Sequence, residues 1–141
     1  MPTIDNELCM GCGKCMDVCG FGALILDVKA IPNNEKCISC GMCKGHCPFN
    51  AITVKDVEKQ EKIRRIKKWA LAYAKVNGFN VNPDEKVVDT IIEGLLKKEG
   101  KFGARYCPCR IQNVRKNVCP CVYHKDEIKK DGACHCLFFV K

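Results

Sequence analysis

The chain has 141 residues, enough for one or two small domains, and 14 of them are cysteine. No apolar stretch precedes the first cysteine in MPTIDNELC, and the apolar runs at 23–26 and 137–140 are far too short to cross a bilayer. These features argue against a secreted disulfide scaffold and a membrane protein, and for cytoplasmic metal or redox chemistry. The formal charge of +8 lies entirely in residues 56–141, and a basic surface of that kind suits an acidic redox partner as well as it suits nucleic acid.

Residues 1–55 repeat with a period of 28: Cys9, Cys12, Cys15 and Cys19 map onto Cys37, Cys40, Cys43 and Cys47, Gly13 onto Gly41, Phe21 onto Phe49, and Ala23 onto Ala51. Two copies of one motif predict a pseudo-twofold unit. Runs at 24–28 and 51–54 predict short strands, and 14–18 and 42–46 predict one helical turn or slightly more. Each run reads Cys-x-x-Cys-x-x-Cys-x-x-x-Cys. Structural zinc also uses Cys-x-x-Cys pairs, but a repeated four-cysteine run with three-residue tails points to iron–sulfur.

This segment resembles the bacterial two-cluster ferredoxins, which implies an α+β domain holding two 4Fe–4S clusters. In that pattern the fourth cysteine of each run ligates the other cluster. The implied ligand sets are Cys9, Cys12, Cys15 with Cys47, and Cys37, Cys40, Cys43 with Cys19. Pro48 completes the Cys-Pro ending of the second run, whereas Gly20 replaces proline after the first. Exposed clusters tolerate oxygen poorly, which favours an anaerobic setting.

Residues 56–77 predict a helix with an apolar stripe of Ile63, Ile66, Ala70, Tyr73 and Ala74, with Trp69 at its edge. Asn77-Gly78 supplies a left-handed stop. The basic face of Lys59, Lys62, Arg64, Arg65, Lys67 and Lys68 is most simply solvated. A second helix is predicted from Asn82 as cap and Pro83 at the first position, with Glu85 completing a capping box. Val87, Val88, Ile91, Ile92, Leu95 and Leu96 form its buried face, and Gly100 is the expected end.

The last six cysteines form three closely spaced pairs: Cys107/Cys109, Cys119/Cys121 and Cys134/Cys136. One residue between partners tends to aim both sulfurs the same way in extended backbone. Pro108 and Pro120 keep these segments out of helix. A four-iron cluster takes four thiolates, so six exceed one cluster by two. The surplus pair could be free thiols, a disulfide or ligands to something else.

Tyr106-Cys107-Pro108-Cys109-Arg110, Cys119-Pro120-Cys121-Val122 and Cys134-His135-Cys136-Leu137-Phe138-Phe139 are the residues on which residues 60–141 resemble the catalytic subunit of ferredoxin–thioredoxin reductase. Tyr73-Ala74 and Gly94-Leu95-Leu96 fit as well. The resemblance implies a mainly α-helical catalytic domain at 56–141, following a ferredoxin domain at 1–55. It implies a third 4Fe–4S cluster on Cys107, Cys119, Cys121 and Cys134, and a redox-active Cys109–Cys136 disulfide. It also implies that Cys109 attacks the substrate disulfide, that Cys136 stays beside the cluster and binds it in the one-electron state, and that His135 assists proton transfer. The implied partners are a low-potential ferredoxin-type donor and a thioredoxin-like or other disulfide substrate. The loops between the pairs differ in length from the plant-type family, so disulfide reduction is implied more firmly than thioredoxin itself. His46 and His124 are read as structural.

Three clusters would add a charge of about −6, leaving a holoprotein near a net charge of about +2. The competing readings are a polyferredoxin carrier with incidental thiols and a nucleic-acid-binding module. The carrier reading leaves Cys109 and Cys136 without a role. The nucleic-acid reading lacks a basic patch interleaved with aromatic residues.

Overall fold

The computed structural model describes residues 2–141. The chain divides into two compact units at Tyr73/Ala74. In the first, β1 (Pro2–Ile4) pairs antiparallel with β4 (Ile52–Val54), in the register Pro2↔Val54. Between them lie α1 (Lys14–Val18) and the hairpin of β2 (Leu24–Leu26) with β3 (Ala30–Pro32), then a single 3-10 turn at Lys44–His46. Side chains alternate across these strands, so Leu24, Ala30 and Ile52 turn inward while Ile25, Ile31 and Thr53 are exposed. The buried set includes Cys9, Cys15 and Cys47, so part of this small core is made of thiols.

Helix α2 (Lys59–Asn77) starts three residues later than the charge pattern suggests and ends at Asn77, with Gly78 at φ 80°. Within the first unit, Ile66, Trp69, Ala70 and Tyr73 are buried. Trp69 is wholly buried rather than at the edge of the stripe, because its indole stacks on Tyr73 at 5.1 Å and its Nε1–H donates to Val18 O at 2.7 Å.

The second unit holds β5 (Asn80–Val81), α3 (Glu85–Phe102), α4 (His124–Asp131) and β6 (Phe139–Val140), with β5 and β6 antiparallel. Two expectations for α3 are corrected. The cap is Asp84, whose carboxylate accepts from Lys86 N at 3.0 Å, while Asn82 Oδ1 accepts from Asp84 N at 2.9 Å in the turn that leads into the helix. Asn82 N donates to Phe138 O and Asn82 Nδ2 to Leu137 O, both at 2.9 Å. The helix also runs past Gly100 to Phe102, ending where Gly103 takes φ 84° and its N–H bonds to Glu99 O. Val88, Ile91, Ile92 and Leu95 are buried as the helical period predicts. Phe138 stacks on Phe139 at 4.7 Å, and Phe79 meets Phe139 edge-on at 5.1 Å. Among the described residues no helix is long and apolar enough to cross a membrane.

Candidate iron–sulfur and dithiol sites

Two cavities in the first unit are lined by thiols. One, of ≈ 330 Å³, is lined by Cys9, Cys12, Cys15 and Cys47 among apolar side chains such as Ile4, Leu26 and Ile52. The other, of ≈ 400 Å³, is lined by Cys19, Cys37, Cys40 and Cys43, again with apolar neighbours. Each cavity therefore gathers three cysteines from one run and the fourth from the other. Backbone N–H groups point at the sulfurs: Ala23 N to Cys19 Sγ at 3.3 Å, Ala51 N to Cys47 Sγ at 3.4 Å, Ala30 N to Cys9 Sγ at 3.5 Å and Ser39 N to Cys37 Sγ at 3.3 Å. Such donors stabilise negative sulfur. At Cys9 the amides of Ala30 and Gly11 draw the thiol below its ordinary pKa. Burial pushes Cys15 up to about 11 and Cys43 up to about 12, so both thiols stay protonated unless a positive centre compensates the thiolate. The donor set, the apolar lining and the aimed amides all fit a 4Fe–4S cluster in each cavity.

In the second unit the paired cysteines sit on loops pinned to one another. Cys107 N donates to Asn117 O at 2.6 Å and Cys119 N to Arg105 O at 2.9 Å, so the two Cys-Pro-Cys segments run side by side around the Tyr106↔Val118 bridge. Cys134 N donates to Phe139 O at 2.9 Å, and Phe139 N returns a bond to Cys134 Sγ at 3.3 Å. The sulfurs of Cys107, Cys109 and Cys136 all lie within 4.8 Å of one another, and Cys134 Sγ is 3.7 Å from Cys136 Sγ. Cys119 and Cys121 are buried as well. Of the six, only Cys109 is exposed. His135 is exposed between the buried Cys134 and Cys136, in a turn closed by Leu137 N donating to Cys134 O at 2.9 Å rather than in the extended backbone that the spacing suggests. His124 is buried, with Nδ1 2.5 Å from Cys121 O and its ring against Phe79 and Phe139.

The electrostatics separate these thiols. Hydrogen bonding from Cys136 lowers Cys107 to about 7 and Cys134 to about 6. Cys136 is pushed far up, because it bonds to those two sulfurs and is itself buried. Cys109 is exposed as a residue, but partial desolvation of its sulfur beside the neighbouring thiols, followed by the charge of Cys107, raises it to about 11. Burial raises Cys119 and Cys121, and Arg110 partly offsets the effect at Cys121.

Several further residues position these loops. Lys98, on α3, donates to Cys107 O at 3.1 Å, Arg110 O at 2.8 Å and Asn113 Oδ1 at 2.9 Å. Arg110 Nη2 contacts both carboxylate oxygens of Glu127 at 2.8 and 2.9 Å and lies 4.9 Å over the Tyr123 ring. Glu127 Oε1 also accepts from His135 N at 3.3 Å, so one carboxylate ties the first paired loop to the third. Gly94 faces Pro108 so closely that a Cβ there would lie 2.8 Å from Pro108 Cβ. Arg110 and Gly94 stood among the resemblance residues, whereas Lys98 and Glu127 did not.

Comparison with known proteins agrees with this layout. The 4Fe–4S binding domain model matches residues 2–25 and 30–53, and the model of the ferredoxin thioredoxin reductase catalytic beta chain matches residues 55–141. The ferredoxin-thioredoxin reductase catalytic chain of Porphyra purpurea is 31% identical over 91 residues, covering 60% of this chain and 74% of that protein. The Guillardia theta catalytic chain is 34% identical over 83 residues, covering 53% and 76%. The chloroplastic catalytic chain of Arabidopsis thaliana is 26% identical over 96 residues, covering 63% of each. A match across more than half of the chain shows the family: this protein belongs to the ferredoxin–thioredoxin reductase catalytic chains, with a 4Fe–4S binding segment ahead of the matched region.

Proposed function

We propose that the chain is an iron–sulfur disulfide reductase, taking single electrons from a ferredoxin-type donor and delivering them in pairs to thioredoxin or a related disulfide. Residues 1–55 act as a pseudo-twofold ferredoxin domain holding two 4Fe–4S clusters on the two ligand sets that line the cavities. Residues 56–141 act as the catalytic domain, with a third cluster on Cys107, Cys119, Cys121 and Cys134. The observation that carries this reading is the contrast between exposed Cys109 and buried Cys136, with sulfurs within 4.8 Å of each other and of Cys107.

A bound 4Fe–4S cluster supplies one electron at a time, which a disulfide cannot accept cleanly alone. Exposure makes Cys109 the nucleophile. Its thiolate attacks one substrate sulfur, forming a mixed disulfide and releasing the other sulfur as a thiolate that takes up a proton. Cys136 then attacks Cys109 Sγ, which releases the second substrate thiol and forms the Cys109–Cys136 disulfide. Two electrons and two protons restore the dithiol. His135, on the surface between Cys134 and Cys136, serves as the acid that protonates the departing thiolate. Glu127 holds the His135 backbone and Arg110 together, which fixes the loop carrying that acid.

The test is anaerobic reconstitution followed by reduction with ferredoxin in the presence of thioredoxin or a small-molecule disulfide. Wild type reduces the disulfide and Cys109→Ser does not. Equal rates for the two proteins would leave only a polyferredoxin carrier.

A further inference from the structure

Gly20 stands where the ferredoxin pattern has proline, and the packing of α2 gives the reason. A Cβ on Gly20 would lie 2.5 Å from Tyr73 N, 2.9 Å from Tyr73 Cα and 3.0 Å from Ala72 C. These are helix backbone atoms that cannot swing aside, so any side chain at residue 20, and a pyrrolidine ring above all, would push α2 away. The helix lies this close beside a cluster site. One turn before Tyr73, the buried Trp69 donates from Nε1 to Val18 O at 2.7 Å, next to Cys19. Trp69 also lines the ≈ 400 Å³ cavity together with Cys19, Cys37, Cys40 and Cys43. A turn earlier, Arg65 Nη1 donates to Ser39 O at 3.2 Å while Glu61 Oε1 holds its Nε at 2.9 Å. Ser39 has φ 57°, and its N–H donates to Cys37 Sγ, so Arg65 pins a left-handed turn inside the second cysteine run. No residue of α2 lines the other thiol-lined cavity.

We propose that residues 59–73 of α2 are the built-in wall of the site formed by Cys19, Cys37, Cys40 and Cys43. Trp69 is the positioning residue that keeps water from that site, and Gly20 is the position that admits the helix. This rests on the reading that those four cysteines hold a 4Fe–4S cluster. Reduction adds negative charge to a cluster, and water stabilises that charge, so exclusion of water lowers the potential. The two ferredoxin clusters are therefore inequivalent, because α2 walls one site and lines no part of the other. A family-matched helix has become part of the ferredoxin unit's core, and the loss of proline at residue 20 is its mark.

Trp69 is the sole tryptophan, so its emission reports on the wall directly. In full-length, anaerobically reconstituted protein, Gly20→Ala shifts Trp69 emission to the red, and one ferredoxin-cluster potential becomes more positive while the others stay in place. Unchanged emission and unchanged potentials overturn the proposal. Should Gly20→Ala not fold, Trp69→Phe loses the bond to Val18 O but keeps an aromatic ring, and its potentials decide: one moves positive, or the wall has no such role. Iron analysis of wild type separates the two layers. A count below about twelve iron atoms per chain sinks the cluster reading, and the wall falls with it. A full count with unmoved potentials sinks the wall alone.

Discussion

Lys98 satisfies three acceptors on the loop that carries Cys107 and Cys109. A bond from a charged donor contributes about 1.5–3 kcal/mol, and its removal leaves several carbonyls short of a partner. Lys98→Met is expected to cost about 2 kcal/mol in chemical denaturation and to slow disulfide reduction roughly tenfold at full iron content, through misplacement of the attacking sulfur. Glu127→Gln cannot match the paired acceptors that Arg110 requires. It should lower kcat with little change in KM for the disulfide, and the steady-state rates check this. Cysteine spacing was legible in the sequence because three of the four thiols lining each cavity come from one short run, with the fourth supplied by its repeat. Lys98 and Glu127 were not, because their partners lie between 8 and 17 residues away and neither residue type nor periodicity marks the pairing. Trp69 was legible as apolar, but its partner Val18 is 51 residues away, so its place at the heart of the packing was not.

Helix α3 links its own cap to the paired cysteines it supports. Asp84→Ala removes the bond to Lys86 N and should cost about 1 kcal/mol, read as a lower denaturation midpoint with cluster absorbance intact. Further along the same helix, Gly94→Val would drive a branched side chain into Pro108, already 2.8 Å from a bare Cβ. That overpacking costs about 1–3 kcal/mol and displaces the Cys-Pro-Cys loop, so the variant should lose iron from the catalytic site during reconstitution, visible as reduced absorbance per chain. The buried face of α3 followed from the helical period, since Val88, Ile91, Ile92 and Leu95 recur at that spacing. Its ends did not, because Asn82 had two competing uses. Local chemistry offered it as a cap, while tertiary structure spent its backbone and amide on the carbonyls of Phe138 and Leu137.

At the scale of the molecule, thiols do much of the work of a core. Cys9, Cys15 and Cys47 are buried in the first unit, and five of the last six cysteines are buried in the second. A thiol that burial holds at a pKa of about 11 or 12, as at Cys15 and Cys43, gains most from a metal that takes the proton's place. Iron removal should therefore lower the thermal midpoint, followed by circular dichroism before and after chelation. The boundary between the segment matched as a 4Fe–4S binding domain and the segment matched as the catalytic chain was visible in the change of spacing from Cys-x-x-Cys to Cys-x-Cys. The difference in exposure among the last six was not, because spacing treats all three pairs alike while only Cys109 is exposed. The central claim is that Cys109 and Cys136 form the dithiol while the other four hold iron. Disulfide mapping by mass spectrometry, on oxidised holoprotein unfolded in alkylating agent without oxygen, tests it most directly. The account predicts a single disulfide, Cys109–Cys136, with every other cysteine alkylated. A bond that includes Cys107, Cys119, Cys121 or Cys134, or no bond at all, would contradict it.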